Sequence, residues 1–141
     1  MTYVLDACAL IALLDDEEGK DKVDELFTRA KTGEIVLCIS IINMLEVYYG
    51  FIRDDGLECA DKILAPIDET PLQIIDLVSQ SVYKEAARLK GAYNISLADA
   101  IGLATAINLN GVFVTSDGEF EEPEAKEHAP VFWFRPPKEK K

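Results

Sequence analysis

The segment YVLDACALIALL, residues 3–14, begins with a short apolar run that is broken by a single carboxylate at Asp6. A run of this length is typical of a buried strand, which we place at 2–6, and a short helix is expected over 8–14. An ionised carboxylate in apolar surroundings costs free energy unless a cation or hydrogen-bond donors meet it. We therefore expect a functional site at the end of this first strand.

Beyond this segment, short apolar runs alternate with longer helical patterns. This alternation predicts an α/β domain in which a parallel sheet carries helices on both faces. The solvated tail RPPKEKK, residues 135–141, is placed outside the domain, which then spans 1–134. Further strands are predicted at 35–39, 72–76, 112–115 and 131–134, and further helices at 17–32, from Ser40 to about 52, at 57–65, after a cap at Asp76, and at 97–108.

The composition is that of one acidic domain. With 141 residues, of which 49% are hydrophobic, the chain is long enough to bury a core without disulfides. Asp and Glu outnumber Lys and Arg by 26 to 14, giving a net charge of −12. This balance argues against a broad electrostatic surface for nucleic acid. It does not exclude nucleic acid, because metal ions can neutralise a carboxylate-lined groove and bring phosphates to it.

The cysteines and the N-terminus indicate a cytoplasmic protein. Cys8, Cys38 and Cys59 are widely spaced and form no C-x-x-C pair, so we interpret them as buried small hydrophobic residues in a reducing cytosol and not as a disulfide or zinc framework. The apolar N-terminus has no basic region before it and runs directly into acidic residues at 15–18. It is therefore expected to be neither a signal peptide nor a membrane span.

Three more carboxylates follow the pattern of Asp6. Glu46 lies in IINMLEVYYGFI, Asp99 lies in LADAIGLATAI, and Asp117 ends the strand VFVTSD. In open α/β sheets, sites form outside the carboxyl ends of the strands. The strand-end and helix-start positions of these residues allow them to reach the same edge. The simplest shared purpose is a cluster of oxygen ligands for a hard divalent cation.

Each carboxylate also has a local interpretation. Asp99 fits a capping box with Ser96 at the start of its helix. Asp117 is an ordinary turn residue before Gly118, and Asp6 fits the cap of the first helix. Taken singly, these interpretations compete with the metal site on equal or better terms. Only the combination of the carboxylates favours the site.

Glu46 is the hardest of the four to explain locally. An apolar helix rarely carries an unpaired Glu in its interior, although a thin exposed stripe with Asn43 and Gly50 would accommodate it. His128 is the only histidine, and it lies in an acidic stretch that we expect to be a surface loop. A mechanism based on histidine is therefore not favoured.

In their order along the chain, these segments resemble the PIN-domain family of nucleases. The resemblance covers roughly residues 1–134, and the compact length is most similar to the VapC-type toxins of toxin–antitoxin pairs. The matching motifs are VLDACAL with Asp6, SIINMLEVYYG with Glu46 and Gly50, SLADAIGLATA with Asp99, and VTSDGEF with Thr115, Ser116, Asp117 and Phe120.

The resemblance implies a structure and an activity. The expected fold is a single three-layer domain with a five-stranded parallel sheet, and the expected assembly is a homodimer. The implied activity is endoribonuclease cleavage of RNA that depends on Mg²⁺ or Mn²⁺, with an antitoxin protein as inhibitor. The implied metal ligands and catalytic residues are Asp6, Glu46, Asp99 and Asp117, with Thr115 and Ser116 orienting carboxylates or water from behind them.

Two residues depart from the family pattern. Cys8 stands where the family often has a hydroxyl side chain, and Gly118 stands where a basic residue is common. Neither change removes an implied metal ligand. Both bear on substrate affinity more than on the chemistry.

Other functions remain open on the sequence. One is a PIN-fold RNA-processing factor, and another is an interaction module that has kept the fold and lost activity. A third is a phosphoryl-accepting response-regulator receiver, with Asp76 in the place of the acceptor. That class needs paired acids after the first strand and a late lysine, whereas Asp6 stands alone and VFWFRPP supplies no lysine.

Overall fold

Strands and helices alternate along the chain, as predicted. The computed structural model describes residues 1–138, and no helix in this range combines the length and apolarity needed to cross a membrane. The strands are β1 (Thr2–Leu5), β2 (Val36–Ser40), β3 (Gln73–Ile75), β4 (Val112–Asp117) and β5 (Val131–Lys138). The helices are α1 (Ala7–Leu14), α2 (Lys20–Lys31), α3 (Ile41–Asp55), α4 (Leu57–Leu64), α5 (Gln80–Ala92), α6 (Leu97–Asn108) and α7 (Glu121–Ala125), with 3₁₀ turns at Ala65–Glu69 and Gly118–Phe120.

All five strands form one parallel sheet in the order β3-β2-β1-β4-β5. The chain builds outward from β1 in one direction and then in the other, so the strand order reverses between β1 and β4. Such a switch point opens a crevice at the carboxyl ends of the strands. The receiver alternative is wrong, because receivers have the order 2-1-3-4-5.

Helices cover both faces of the sheet, which gives the three layers expected. Side chains alternate along β1, so that Tyr3 and Leu5 enter one apolar cluster and Val4 enters the other. The first cluster lies beneath α1 to α4, and the second lies beneath α5 and α6. The three cysteines within residues 1–138 are free thiols, but the prediction that all are buried is wrong, because Cys8 is partly exposed and Cys59 is exposed.

The C-terminal strand is longer than predicted. It continues to Lys138, and Arg135 is buried with only 6% of its surface exposed. The predicted solvated tail is therefore wrong for Arg135, which donates hydrogen bonds to Ser116, Glu17 and Glu18, whereas Pro136 and Pro137 are exposed. The predicted tail residues 139–141 lie outside the described residues.

Two helix starts also differ from the prediction. The helix after β3 is capped by Ser79, whose hydroxyl accepts from the Val82 amide, and not by Asp76, which is exposed. The second helix begins after Gly19 and not at residue 17, because Gly19 adopts a left-handed conformation with φ of 88°. Both differences are shifts of a few residues within correctly predicted elements.

A glycine allows α6 to approach α3 closely across the end of the sheet. A Cβ atom on Gly102 would lie 2.5 Å from Asn43 Oδ1 and 3.2 Å from the Phe113 ring. Gly102 is one turn after Asp99, and Asn43 is one turn before Glu46. The close approach therefore brings two of the candidate ligands towards each other.

We expect Gly102→Ala to lower the free energy of unfolding by about 1–3 kcal/mol, because the added methyl overpacks the contact between the helices. The matched control is Gly91→Ala in α5, where a Cβ has open space. That change should raise stability by about 0.5–1 kcal/mol through helix propensity. Urea unfolding of both variants measures the difference, and equal effects would contradict the packing account.

Candidate metal centre

The four predicted carboxylates converge at the carboxyl edge of the sheet. Asp6 follows β1, Asp117 ends β4, Glu46 projects from α3, and Asp99 lies in the first turn of α6. Together they line one open cavity of about 380 Å³. Their convergence was predicted from strand-end and helix positions, and the structure confirms it.

The carboxylates form two groups that share Asp99. One oxygen each from Asp6, Glu46 and Asp99 lie within 4.8 Å of one another, and so do oxygens from Asp99, Asp117 and Glu119. Glu119 was missed by the sequence analysis. Its Oε2 atom is buried and has no hydrogen-bond partner in the part of the chain that the structure describes. The sequence feature that could have identified Glu119 is its position two residues after Asp117, which places both residues on the same short turn.

Asp6 is held in place through both of its oxygens. Its Oδ1 accepts from the Ala7 amide at 2.8 Å, which caps α1. Its Oδ2 accepts from the Thr115 hydroxyl at 2.8 Å and from the Cys8 thiol at 3.4 Å. Capping and membership of the cluster are therefore compatible for this residue. The Cys8 thiol thus donates to Asp6 from the position where the family often has a hydroxyl side chain.

Glu46 is oriented by Asn43, one helical turn earlier. Asn43 is fully buried and donates to Glu46 Oε1 at 3.1 Å and to the Ala98 carbonyl at 3.4 Å. Its own Oδ1 accepts from the Ser40 hydroxyl at 2.8 Å. An exposed stripe that includes Asn43 is therefore wrong, and the amide is a positioning group that sequence spacing alone did not identify.

The local interpretations of Asp99 and Asp117 also coexist with the cluster. Ser96 accepts from the Asp99 amide at 3.1 Å, and Asp117 Oδ1 accepts from the Glu119 amide at 2.9 Å. These bonds fix the backbone at each site. Both carboxylates nonetheless face the cavity and contribute an oxygen to the cluster.

Thr115 and Ser116 point in different directions, as neighbouring residues of a strand do. The Thr115 hydroxyl donates to Asp6 and accepts from the Asp117 amide at 3.1 Å. The Ser116 hydroxyl instead contacts Arg135 at 3.0 Å and Cys8 at 3.8 Å. Only Thr115 of the two lies directly against a carboxylate of the cluster.

Burial, and to a smaller extent the charge of neighbouring carboxylates, raises the pKa values of the cluster. Burial raises the pKa of Asp6 to about 6, although hydrogen bonds from Thr115 and Cys8 oppose the shift. Burial, reinforced by the charge of Asp6, raises the pKa of Asp99 to about 9. Burial also raises the pKa of Glu46, against the bond from Asn43. The Cys8 thiol is buried beside Asp6, which raises its pKa and keeps it a donor.

This donor set fits a hard divalent cation. All five carboxylates offer oxygen, which is the ligand that Mg²⁺ and Mn²⁺ prefer. Within residues 1–138 no group donates to the buried Oε2 of Glu119, so this oxygen is available to ligate a cation. A bound cation would also offset the burial and the repulsion that together raise the pKa of Asp99.

Without metal, stability should fall as pH rises from about 4 to about 9. The folded state binds the Asp99 proton more tightly than the unfolded state, so stability is fullest below the ordinary value of 3.8 and is lost as pH rises through about 9. Asp99→Asn should reduce this slope and stabilise the protein at pH 8. Urea titrations in EDTA test it, with the exposed Asp76→Asn as control. A parent whose stability does not change over this range would contradict the cluster.

Solved structures with a similar fold include toxin–antitoxin assemblies. "VapBC2 from Rickettsia felis bound to a DNA fragment from their promoter" is similar with a TM-score of 0.76 and 21% identity, covering 94% of this chain and 98% of that chain. DNA-bound VapBC from Salmonella typhimurium has a TM-score of 0.72 and 15% identity, covering 96% and 99%. A toxin–antitoxin complex from Klebsiella pneumoniae has a TM-score of 0.69 and 21% identity, covering 95% and 98%.

These structural similarities establish the fold. No curated protein matches the sequence significantly. The family model described as "PIN domain" matches residues 3–126, which include every carboxylate of the cluster. The chain therefore belongs to the PIN-domain family.

Proposed function

We propose that this protein is a metal-dependent endoribonuclease and the toxin of a type II toxin–antitoxin pair. The observation that carries the proposal is the convergence of four carboxylates on one cavity, with Glu119 grouped beside Asp99 and Asp117 and its buried Oε2 lacking a hydrogen-bond partner among the described residues. A merely structural role does not explain this arrangement, because clustered carboxylates destabilise a fold that has no cation to bind.

The ligand groups suggest where cations would be held. Asp6, Glu46 and Asp99 would hold one, and Asp99, Asp117 and Glu119 would hold a second, with Asp99 common to both. A bound Mg²⁺ or Mn²⁺ would supply the positive charge that activates a water and stabilises charge developing on the phosphate. The family resemblance implies in-line attack that leaves a 5′-phosphate and a 3′-hydroxyl.

The protein's own contribution is to fix the ligands beforehand. Thr115 and Cys8 restrain Asp6 Oδ2, while Asn43 restrains Glu46. Restrained ligands lose little further freedom when a cation binds. His128 does not line the cavity and shares a hydrogen bond of 2.7 Å with the Tyr93 hydroxyl, so it has no place in this mechanism.

The rim of the cavity offers a contact surface for RNA. Arg53 is the only basic residue among the described residues that line it, and Tyr49 lines it beside Arg53. The guanidinium lies 5.6 Å from the centroid of the exposed Tyr49 ring. A cation and an exposed aromatic ring are the groups that bind the phosphates and bases of single strands. We therefore assign substrate contact to these two residues, in place of the basic residue that Gly118 replaces.

Arg53→Ala should weaken binding of single-stranded RNA and reduce its salt dependence. Loss of one phosphate contact should lower the slope of log Kd against log salt by about 0.7. Fluorescence anisotropy in Ca²⁺ measures both quantities. Arg29→Ala is the matched control, because Arg29 stacks on Tyr3 outside the cavity. An unchanged slope for Arg53→Ala would refute the assignment.

The proposed partners are an antitoxin protein and a second copy of this chain in the cytoplasm. The antitoxin is supported by the fold similarity to the toxin–antitoxin complexes named above. The homodimer is supported by three exposed leucines on or beside elements around the same end of the sheet. They are Leu45 on α3, Leu77 after β3 and Leu97 on α6, exposed by 58%, 69% and 63%.

Asp99→Asn should abolish cleavage of a mixed RNA pool in Mn²⁺. Asn keeps the shape but removes the charge of the residue that both ligand groups share. Asp76→Asn is the control, because this exposed carboxylate lies outside the cluster. Circular dichroism verifies that both variants fold. A folded Asp99→Asn protein that cuts as fast as the parent would place the activity elsewhere.

A further inference from the structure

A chain of hydrogen bonds links the C-terminal strand to the carboxylate of Asp6. It begins at Arg135, whose Nε donates to Ser116 Oγ at 3.0 Å. Ser116 Oγ donates to Cys8 Sγ at 3.8 Å, and Cys8 Sγ donates to Asp6 Oδ2 at 3.4 Å. Arg135 was predicted to lie in a solvated tail, and no partner was predicted for Cys8.

The direction of this chain follows from the chemistry of its first member. A guanidinium carries only donors and does not lose its proton in proteins, so the oxygen of Ser116 must accept from Arg135. The single hydroxyl proton of Ser116 is then directed towards the Cys8 sulfur, since a hydroxyl has one proton to give. The thiol proton of Cys8 is left to point to Asp6 Oδ2.

Thr115 does not reverse this order. Its hydroxyl proton is donated to Asp6 Oδ2 at 2.8 Å, so its oxygen is a second acceptor for the Cys8 thiol at 3.6 Å, and the charged Asp6 Oδ2 at 3.4 Å is the nearer and stronger one. Asp6 Oδ2 therefore receives two directed donors, and Oδ1 receives the Ala7 amide. The remaining acceptor directions of the carboxylate are those open to the cavity.

Arg135 itself is rigidly held. Its Nη1 donates to Glu17 Oε1 at 3.2 Å and to the Glu18 carbonyl at 3.1 Å. The pairing of β4 with β5 is irregular at this point. Thr115 pairs with Trp133 and Asp117 pairs with Lys138, so Ser116 alone lies opposite residues 134–137. Such a bulge re-aims a side chain next to a site.

The loop before α2 is shaped to fit the same segment. Gly19 lies against β5, where a Cβ would come within 2.6 Å of the Phe134 carbonyl oxygen and 3.2 Å of Arg135 Cβ. The φ of 88° at this residue also favours glycine. The loop can therefore approach closely enough for Glu17 and Glu18 to hold the guanidinium.

We propose that Arg135 is a positioning residue of the metal centre, which acts through Ser116 and Cys8 to orient Asp6 towards the cation. This inference rests on the proposed metal-dependent function. It predicts that Cys8 is replaceable by serine, whose hydroxyl both accepts and donates, but not by alanine, which does neither.

The test is calorimetric titration of Mn²⁺ into the folded protein at a single pH. Cys8→Ala and Arg135→Met should each weaken Mn²⁺ binding by about tenfold, the lower end of the range for partners behind metal ligands. Cys8→Ser should keep the parent affinity. Arg29→Met is the matched control, because Arg29 pairs with Glu34 on the surface and should leave Mn²⁺ binding unchanged.

The double variant Arg135→Met with Cys8→Ala separates positioning from general stabilisation. If Arg135 acts through Cys8, the double variant should bind Mn²⁺ no more weakly than Cys8→Ala alone. Additive losses, or Arg135→Met binding as the parent does, would overturn the proposal. If Arg135→Met does not fold, Ser116→Ala breaks the same chain without leaving a charge unpaired, and the same cycle with Cys8→Ala decides.

The outcomes also separate this inference from the proposed function. A parent protein that binds no Mn²⁺ would overturn the metal centre and the positioning role together. A parent that binds Mn²⁺, with Cys8→Ala binding equally well, would leave the metal centre in place and remove the chain of hydrogen bonds as its support.

Discussion

The mutual repulsion of carboxylates crowded at one edge of the sheet is the constraint around which this molecule is organised. Parallel strands bring the ends of β1 and β4 together at the point where the strand order reverses, so Asp6 and Asp117 line the same cavity. The close contact of α3 with α6 at Gly102 adds Glu46 and Asp99. Burial first, and the neighbouring carboxylates second, raise the pKa values of Asp6 and Asp99.

The surrounding residues hold the ligands against that repulsion. Amide, hydroxyl and thiol donors restrain Asp6, and the buried amide of Asn43 restrains Glu46. These donors oppose the upward pKa shifts of Asp6 and Glu46, but none of them acts on Asp99, whose pKa is raised to about 9. Without a cation the cluster therefore depends on bound protons, and a cation is the other way to balance its charge, which favours metal binding as the explanation of the arrangement.

The sequence predicts much of this because its signals are local. Alternating apolar runs specify the elements, and lone carboxylates at Asp6 and Glu46 stand out against apolar neighbours. The residues that were missed depend on distant contacts. Arg135 is buried by partners 19 and 118 positions away, and nothing near it in the chain indicates them. Glu119 resembles the acidic residues that follow it, and only the fold turns it towards Asp99.

We propose that this carboxylate cluster is a metal centre. Its most direct test is a crystal structure of the protein soaked in Mn²⁺, with anomalous scattering recorded to locate the metal. We expect an anomalous peak from an ion bound by Asp99, with Asp6 and Glu46 or with Asp117 and Glu119 as the other ligands. A cavity without a peak, in crystals that bind Mn²⁺ at other carboxylates, would contradict it.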